Sequence, residues 1–310
     1  GKTTQIPQFL YKWGYCKHAN QCIAITQPRR VAAVSIAKRV AQEFGSNVGD
    51  KVGYHVRFDK SISADTQINY LTDGMLLRQA IQDRLLKRYS IIILDEAHER
   101  TLNTDILFGL IKCIQSKRNT KGSKHRLKVI IMSATLQSHK FSSYFNNATV
   151  YNVKGRNFNV DTLYVSKPET NYLDATLISI LQIHFDAPES GDILAFLTGK
   201  DEIDSMCSML KLKASMMSNS SHHSNTDKHD SQRLKLQILP MYSSLPPHLQ
   251  QLVFKATPHG FRKVILSTNI AETSITIPNI KYVVDCGKVK RRIFNPLTGI
   301  DVYDIEDISK

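Results

Sequence analysis

Short runs of branched apolar residues recur along the chain, and between them apolar positions fall at helical spacing. Ile23 to Thr26, Ile91 to Leu94, Val129 to Met132, Ile193 to Leu197, Val264 to Ser267 and Tyr282 to Asp285 each read as a buried strand. Across Val31 to Phe44, by contrast, Val31, Val34, Val40, Ala41 and Phe44 gather on one helical face. Strands alternating with helices predict an α/β protein with mostly parallel sheets, because a parallel pair needs a crossover and the helix supplies it. In such a fold the loops leaving the strands meet at the carboxyl edge of the sheet, where ligands bind.

These strands are too many for one compact sheet of this type, and the series starts again near residue 160. The polar stretch Lys154 to Asn159 is the expected boundary, which divides the chain into domains at 1–158 and 159–310. A second interruption spans 214–232, around Ser218-Asn219-Ser220-Ser221-His222-His223-Ser224-Asn225. It holds almost nothing apolar to offset the entropy of ordering, so it predicts a disordered surface insertion. His222, His223 and His229 could take a metal there, but a solvated loop is the ordinary reading. Late in the chain, Val289 to Phe294 and Ile300 to Tyr303 flank Asn295-Pro296-Leu297-Thr298-Gly299, which is turn chemistry and predicts a β-hairpin. Its first arm carries Lys288, Lys290, Arg291 and Arg292, a charge pattern that also keeps an exposed edge from aggregating.

Composition narrows the partner. Lys and Arg total 41 against 27 Asp and Glu, a formal charge of +14 with a pI near 9.5. That points to a polyanion, nucleic acid ahead of an anionic membrane surface. No apolar run approaches the roughly 18 residues of a membrane span, and no secretory leader pattern is present. The five cysteines are scattered without a CxxC pair, and read as buried thiols in a reducing compartment rather than a disulfide or zinc framework.

Three short segments carry chemistry. Gly1-Lys2-Thr3 matches the end of a phosphate-binding loop, G-x-x-x-x-G-K-S/T, although the tripeptide alone is common. In such a loop, backbone N–H groups and a helix N-terminus hold phosphates, the lysine reaches the β/γ phosphates and the hydroxyl ligates Mg²⁺. Opening within this motif and without Met, the chain reads as a piece of a longer protein, truncated at both ends. The strand Ile91 to Leu94 runs into Asp95-Glu96-Ala97-His98. A carboxylate at the tip of a buried strand holds Mg²⁺ in a phosphate-loop ATPase, and the adjacent Glu96 is placed to deprotonate the attacking water. A lone Asp-Glu pair would sooner cap the next helix, and the zinc pattern H-E-x-x-H fails because Leu102 follows at its last position. Finally, Val129 to Met132 leads into Ser133-Ala134-Thr135, two hydroxyls suited to sensing the acidic segment. In this order, with the latter two at strand ends, chance explains the set poorly.

With these segments in place, the sequence resembles the DEAH-box/RNA helicase A-like branch of superfamily 2 helicases. The matching stretches are GKTTQIPQF (1–9), TQPRRVAA (26–33), VGYHVRFD (52–59), YLTDGMLLR (70–78) and ILDEAHERTLNTDILFGLIK (93–112). They continue with IIMSATL (130–136), GDILAFLTGKDEI (191–203) and STNIAETSITIPNIKYVVDCG (267–287). The resemblance implies two RecA-like domains, with ATP in the cleft between them, RNA across their tops and a hairpin late in the second that helps keep strands apart.

Residue by residue, the same resemblance puts ATP on Gly1, Lys2, Thr3 and Thr4, and Mg²⁺ on Thr3, Asp95 and Glu96. Asp95, Glu96 and His98 form the catalytic set, and His98 communicates with Ser133 and Thr135, the coupling residues. Arg39 and Phe254 would sandwich the base, so other nucleoside triphosphates should be accepted; without the family, Arg39 reads as a solvated helix residue and Phe254 as core. RNA would be gripped by Arg29, Arg30, Arg57, Thr72, Asp73, Gly74, Thr198, Gly199, Ser267, Thr268, Asn269 and Thr273. Such groups hold phosphates without reading bases, which implies single-stranded RNA with little sequence preference.

The implied protein is an ATP-dependent RNA helicase or ribonucleoprotein remodeller, assisted by an activating protein or complex. It would be intracellular, in the nucleus or nucleolus before the cytoplasm. Two other classes compete, a scaffold that has lost catalysis and a DNA translocase. The intact Lys2, Thr3, Asp95 and Glu96 argue against the first, and stimulation by RNA against DNA would separate the second. Asn159 stands where the family's GRxxPV junction has proline. The family's Q-R-x-G-R-x-G-R segment and accessory domains are missing, so the 310 residues alone are expected to be inactive.

Overall fold

The structure, a computed structural model, describes residues 1–16, 21–120, 123, 125–134, 138–153, 158–167, 169–187, 191–220, 234–272, 277–296 and 298–308. The chain divides into two compact units, Gly1–Phe158 and Asn159–Lys310. Each has its own parallel sheet.

The first unit runs α1 (Lys2–Lys12), β1 (Cys22–Gln27), α2 (Arg30–Phe44), β2 (Val52–Val56), β3 (Asp59–Ser61), β4 (Ile68–Thr72), α3 (Asp73–Gln82), β5 (Tyr89–Leu94), α4 (Leu102–Arg118), β6 (Lys128–Ile131) and α5 (Ser138–Tyr144). Its sheet has the order β3-β2-β4-β1-β5-β6 and is parallel except for the β2–β3 pair. Successive side chains of a strand point to opposite faces. Cys22, Ala24, Ile92 and Leu94 accordingly pack with Leu76, Leu107 and Ile111 of α3 and α4. Ile23, Ile25, Ile91 and Ile93 pack on the other face with Ala33, Ala37 and Val40 of α2, and with Ile6 and Leu10 of α1. Burial on both faces is why these strands read as unbroken apolar runs.

The structure adds strands that the apolar pattern did not suggest. In β4, Asn69 interrupts the run and is buried, its amide donating to the Tyr89 hydroxyl at 3.3 Å. In β2, a Cβ at Gly53 would come within 2.3 Å of the Ser61 carbonyl, so glycine is needed where β3 folds back. Helix α2 ends where expected: Gly45 is left-handed at φ +69°, and the Ser46 N–H closes onto the Ala41 carbonyl at 3.0 Å.

The second unit runs α6 (Tyr172–Asp186), β7 (Asp192–Phe196), α7 (Lys200–Ser220), β8 (Lys235–Met241), α8 (Pro247–Gln250), a 3₁₀ turn at Gln251–Phe254, β9 (Phe261–Ser267), β10 (Ile280–Asp285), β11 (Lys288–Asn295) and β12 (Ile300–Asp307). The order β10-β7-β9-β8 is parallel throughout. Strand β8 tolerates Pro240 because it lies at the edge, where a missing N–H breaks no ladder bond. Residues of β7 and β9 pack with Ile180, Ile203, Met206 and Leu210 from α6 and α7.

The expected hairpin is present as β11 and β12, with longer arms than the apolar runs suggested. Its basic arm is matched by acids across the ladder: Lys288 meets Asp307 at 2.5 Å, Arg291 meets Glu306 at 3.6 Å, and Arg292 meets Asp301.

One boundary needs correction. The interruption expected over 214–232 does not begin at Ala214, since residues 214–220 continue α7. Ala and Met favour helix, and the Ser215 hydroxyl is satisfied by the Leu212 carbonyl at 2.7 Å. The remainder of that stretch, with its three histidines, lies outside the described residues, as do Lys154 to Asn157 of the expected junction. Of the cysteines, Cys16, Cys22 and Cys207 are buried, Cys286 is intermediate and Cys113 is exposed. Among the described residues no helix is long and apolar enough to cross a membrane.

Candidate functional site

The chemistry of the first unit collects at the carboxyl edge of its sheet. Gly1 is the N-cap of α1, and its carbonyl accepts from the Thr4 hydroxyl at 3.1 Å. Lys2 opens the helix and its ammonium lies on the Ser133 carbonyl at 2.8 Å, above the end of β6. Thr3 is held from below, since the buried Tyr70 hydroxyl donates to its carbonyl at 2.9 Å. Its own hydroxyl hydrogen-bonds Asp95.

Asp95 leaves β5 almost fully buried, at 4% exposure. Its carboxylate accepts from the Gln27 amide at 2.6 Å and from the Glu96 N–H at 2.9 Å. Burial nevertheless pushes its pKa up, against the hydrogen bonds from Thr3, Glu96 and Gln27 and the Lys2 charge. Glu96 sits in the left-handed region at φ +51°, uncommon for a residue with a Cβ and characteristic of functional loops. Burial first, then the charges of Asp95 and Glu99, lift its pKa to about 7.

Backbone bonds tie this segment to the Ser133 strand end. The Met132 N–H donates to the Leu94 carbonyl at 2.9 Å, and the Ala97 N–H returns to the Met132 carbonyl at 3.0 Å. His98 Nδ1 lies 3.5 Å from the Ala134 N–H and 3.4 Å from Glu96 Oε2. It must accept from the first but donate to the second, so it can serve only one at a time.

A hydroxyl and carboxylate in contact, with a second carboxylate adjacent, suit a hard cation such as Mg²⁺. The buried Gln27 Oε1 has no hydrogen-bond partner, so this shell retains an unused acceptor. Among the described residues there is no cluster of three or more His, Cys, Asp or Glu side chains able to hold a metal alone. Mg²⁺ usually takes one or two carboxylates and completes its shell with phosphate and water.

Other expected residues are placed unevenly. Arg39 is exposed on α2 and leans on Glu43, Nε to Oε1 3.1 Å. Phe254 ends the 3₁₀ turn of the second unit half-buried; the turn's core residue is Val253. Arg29, at the N-cap of α2, reaches Glu99 at 3.6 Å, whereas Arg30 is exposed. Arg57 stacks on exposed Phe58 at 4.8 Å. Thr72 stands at the N-cap position of α3 without a side-chain capping bond, and Gly74 is exposed.

Asp73 and Ser267 have buried side chains. Asp73 is 2% exposed and bound by the Thr104 hydroxyl at 2.6 Å, while Ser267 is fully buried and donates to the Thr268 carbonyl at 2.7 Å. In the second unit the Thr198 N–H donates to Glu202 at 3.0 Å, and Gly199 lies against Lys290 of the hairpin. The Thr268 N–H reaches the Met241 carbonyl at 3.1 Å, and Asn269 is exposed. Thr135 and Thr273 lie outside the described residues.

Sequence reasoning missed Gln27, Tyr70 and Glu202 as supports. Gln27 had a signal: Thr26 pairs with Leu94, so the residues after them meet. That signal needs the strand order, which no apolar run contains.

Parallel sheets flanked by helices, with Lys and Thr at a helix start facing Asp-Glu at a strand end, define the RecA-like class of α/β domains. The comparisons agree with this class. Residues 1–142 match the DEAD/DEAH box helicase family and residues 174–298 match the helicase conserved C-terminal domain. The human "ATP-dependent RNA helicase DHX33" is 50% identical over the whole chain, which covers 42% of that protein. The Arabidopsis thaliana "Pre-mRNA-splicing factor ATP-dependent RNA helicase DEAH10" is 46% identical, with all of this chain and 46% of the relative covered. For "Pre-mRNA-splicing factor ATP-dependent RNA helicase prp22" of Schizosaccharomyces pombe the identity is 48%, with all of this chain and 25% of the relative covered. The chain belongs to the DEAD/DEAH box helicase family, in its DEAH branch, and spans less than half the length of these relatives.

Proposed function

We propose that the chain is the motor portion of an ATP-dependent RNA helicase or ribonucleoprotein remodeller. The observation that carries this is the convergence of Lys2, Thr3, Asp95 and Glu96 at the carboxyl edge of one sheet, where burial also lifts the Glu96 pKa to about 7. A base poised near neutrality takes a proton most efficiently at physiological pH. Lys2 and the start of α1 bind the phosphates, while Thr3, Asp95 and Glu96 hold Mg²⁺. The metal, when bound, neutralises charge on the phosphates. Glu96 accepts the proton of the attacking water. His98, exchanging Glu96 for Ala134, carries the state of the site to Ser133 and Thr135.

Arg39 and Phe254 supply faces for the base. Arg29, Arg30, Arg57, Thr72, Asp73, Gly74, Thr198, Gly199, Ser267, Thr268, Asn269 and Thr273 and the loops they build grip single-stranded RNA along its backbone. The hairpin of β11 and β12 helps keep strands apart. An activating protein and a nuclear or nucleolar setting complete the reading; relatives named as pre-mRNA-splicing factors support the nuclear part of it.

The test is Glu96→Gln in the whole protein. Geometry survives and basicity does not, so ATP binding is retained while hydrolysis falls about 10²- to 10⁴-fold. An unchanged hydrolysis rate would remove Glu96 from the role of base.

A further inference from the structure

The second unit contains a charged side chain that the proposed reaction does not use. Lys263, near the start of β9, is only 1% exposed. A lysine is rarely buried so deeply without a demand for its charge. Its ammonium donates to the Lys255 carbonyl at 2.6 Å and to the Val253 carbonyl at 3.2 Å, with Asp192 at 4.0 Å as counter-ion.

Those two carbonyls bracket Phe254. The 3₁₀ turn stops at Phe254, and the chain goes extended at Lys255 with φ −69° and ψ 148°. A helix end leaves carbonyls without partners, and a cation there is favourable. Here the ammonium is the partner, so one point fixes the peptide plane entering Phe254 and the one leaving Lys255. Val253, fully buried, anchors the turn on one side, while Phe254 itself stays outside the core, half-buried. Asp192 holds the lysine strand in turn, accepting from the Lys263 N–H at 2.9 Å, the Thr257 hydroxyl at 2.5 Å and the Asn279 amide at 3.2 Å.

We propose that Lys263 is the positioning residue for the nucleobase face: its buried ammonium, by holding the carbonyls of Val253 and Lys255, sets the direction of the Phe254 ring. This rests on the reading of Phe254 as a stacking residue. Lys263 touches no substrate and acts only through that ring, so its loss should weaken nucleotide binding without slowing the chemical step.

The experiment uses the whole protein, measuring Kd for ATP by equilibrium titration and kcat at saturation. Lys263→Gln loses the charge, and its side chain, one bond shorter with two in-plane amide donors, does not reach both carbonyls as the ammonium does. Its Kd should rise about five- to tenfold, part of what base stacking contributes, with kcat within about twofold. Placed on Phe254→Ala, the same change should add no further loss, because there is no ring left to aim. Unaltered affinity in Lys263→Gln, or losses that multiply in the double variant, overturns the proposal. Phe254→Ala with unaltered affinity instead overturns the stacking reading beneath it, which separates the two failures. If Lys263→Gln does not fold, Lys263→Arg takes its place. It keeps the charge but not the fit to both carbonyls, and a rise of about two- to threefold is expected, with no rise counting against the proposal.

Discussion

Asp95 leaves the carboxyl end of β5 and Asp192 opens the amino end of β7, and each is almost wholly withdrawn from water. Their surroundings differ. Asp192 is matched entirely within its unit, by two side-chain donors, a backbone N–H and the Lys263 ammonium. Asp95 has hydrogen bonds as well, yet burial still raises its pKa, and a second carboxylate stands beside it. A buried acid with its charge matched is part of the framework. Paired acids left with a net desolvation cost form a place where a cation or proton is wanted. The contrast also follows position, since ligands gather outside the carboxyl ends of parallel strands.

The same substitution at both positions should break this symmetry most visibly. Asp192→Asn turns an amide N–H toward donors and strands Lys263, so stability should drop by about 3–5 kcal/mol in chemical denaturation. Asp95→Asn should change stability by less than about 1 kcal/mol, because the Gln27 amide can turn its unpartnered oxygen to the new donor. Equal losses would show that Asp95 is framework too.

Glu96 sharpens the comparison through pH. Its folded pKa near 7 lies above the ordinary 4.5, so between those values the unfolded chain sheds a proton that the folded one keeps. Stability attributable to this group therefore falls across that window and stays low above it. Glu96→Gln should stabilise the nucleotide-free protein on the order of 1–3 kcal/mol near pH 8, and hardly at all near pH 4.5. A gain in melting temperature that is independent of pH would argue against the shift.

The smallest effect concerns the base. Arg39 and Phe254 offer a charge and a ring, not a hydrogen-bonding pattern, so GTP, CTP and UTP should sustain activity within about tenfold of ATP. Strict dependence on ATP in a turnover assay would sink that assignment.

Much of this was readable along the chain. Ile91 to Leu94 and Val264 to Ser267 were visible because strands buried on both faces must be apolar at consecutive positions. The hairpin was visible because its turn has its own chemistry. Strands β2, β4 and β8 were not, since Gly53, Asn69 and Pro240 interrupt runs whose suitability depends on neighbours: a close β3, a Tyr89 hydroxyl, an edge position. Likewise Ala214 to Ser220 look like loop by composition, yet continue a helix already nucleated by Ile203, Met206 and Leu210 in the core.

By itself, then, the sequence determined the alternation of strands and helices, the acidic segment at the end of β5 and the family to which both belong. These follow from local spacing and residue type, which survive in one dimension. Only the tertiary structure decided that Gln27 meets Asp95, that Asp73 and Ser267 turn inward, and that Lys263 reaches back to the carbonyls around Phe254. Hydrogen bonds and desolvation depend on which strand lies next to which and how deeply a side chain is buried, and both are set by the packing of distant segments.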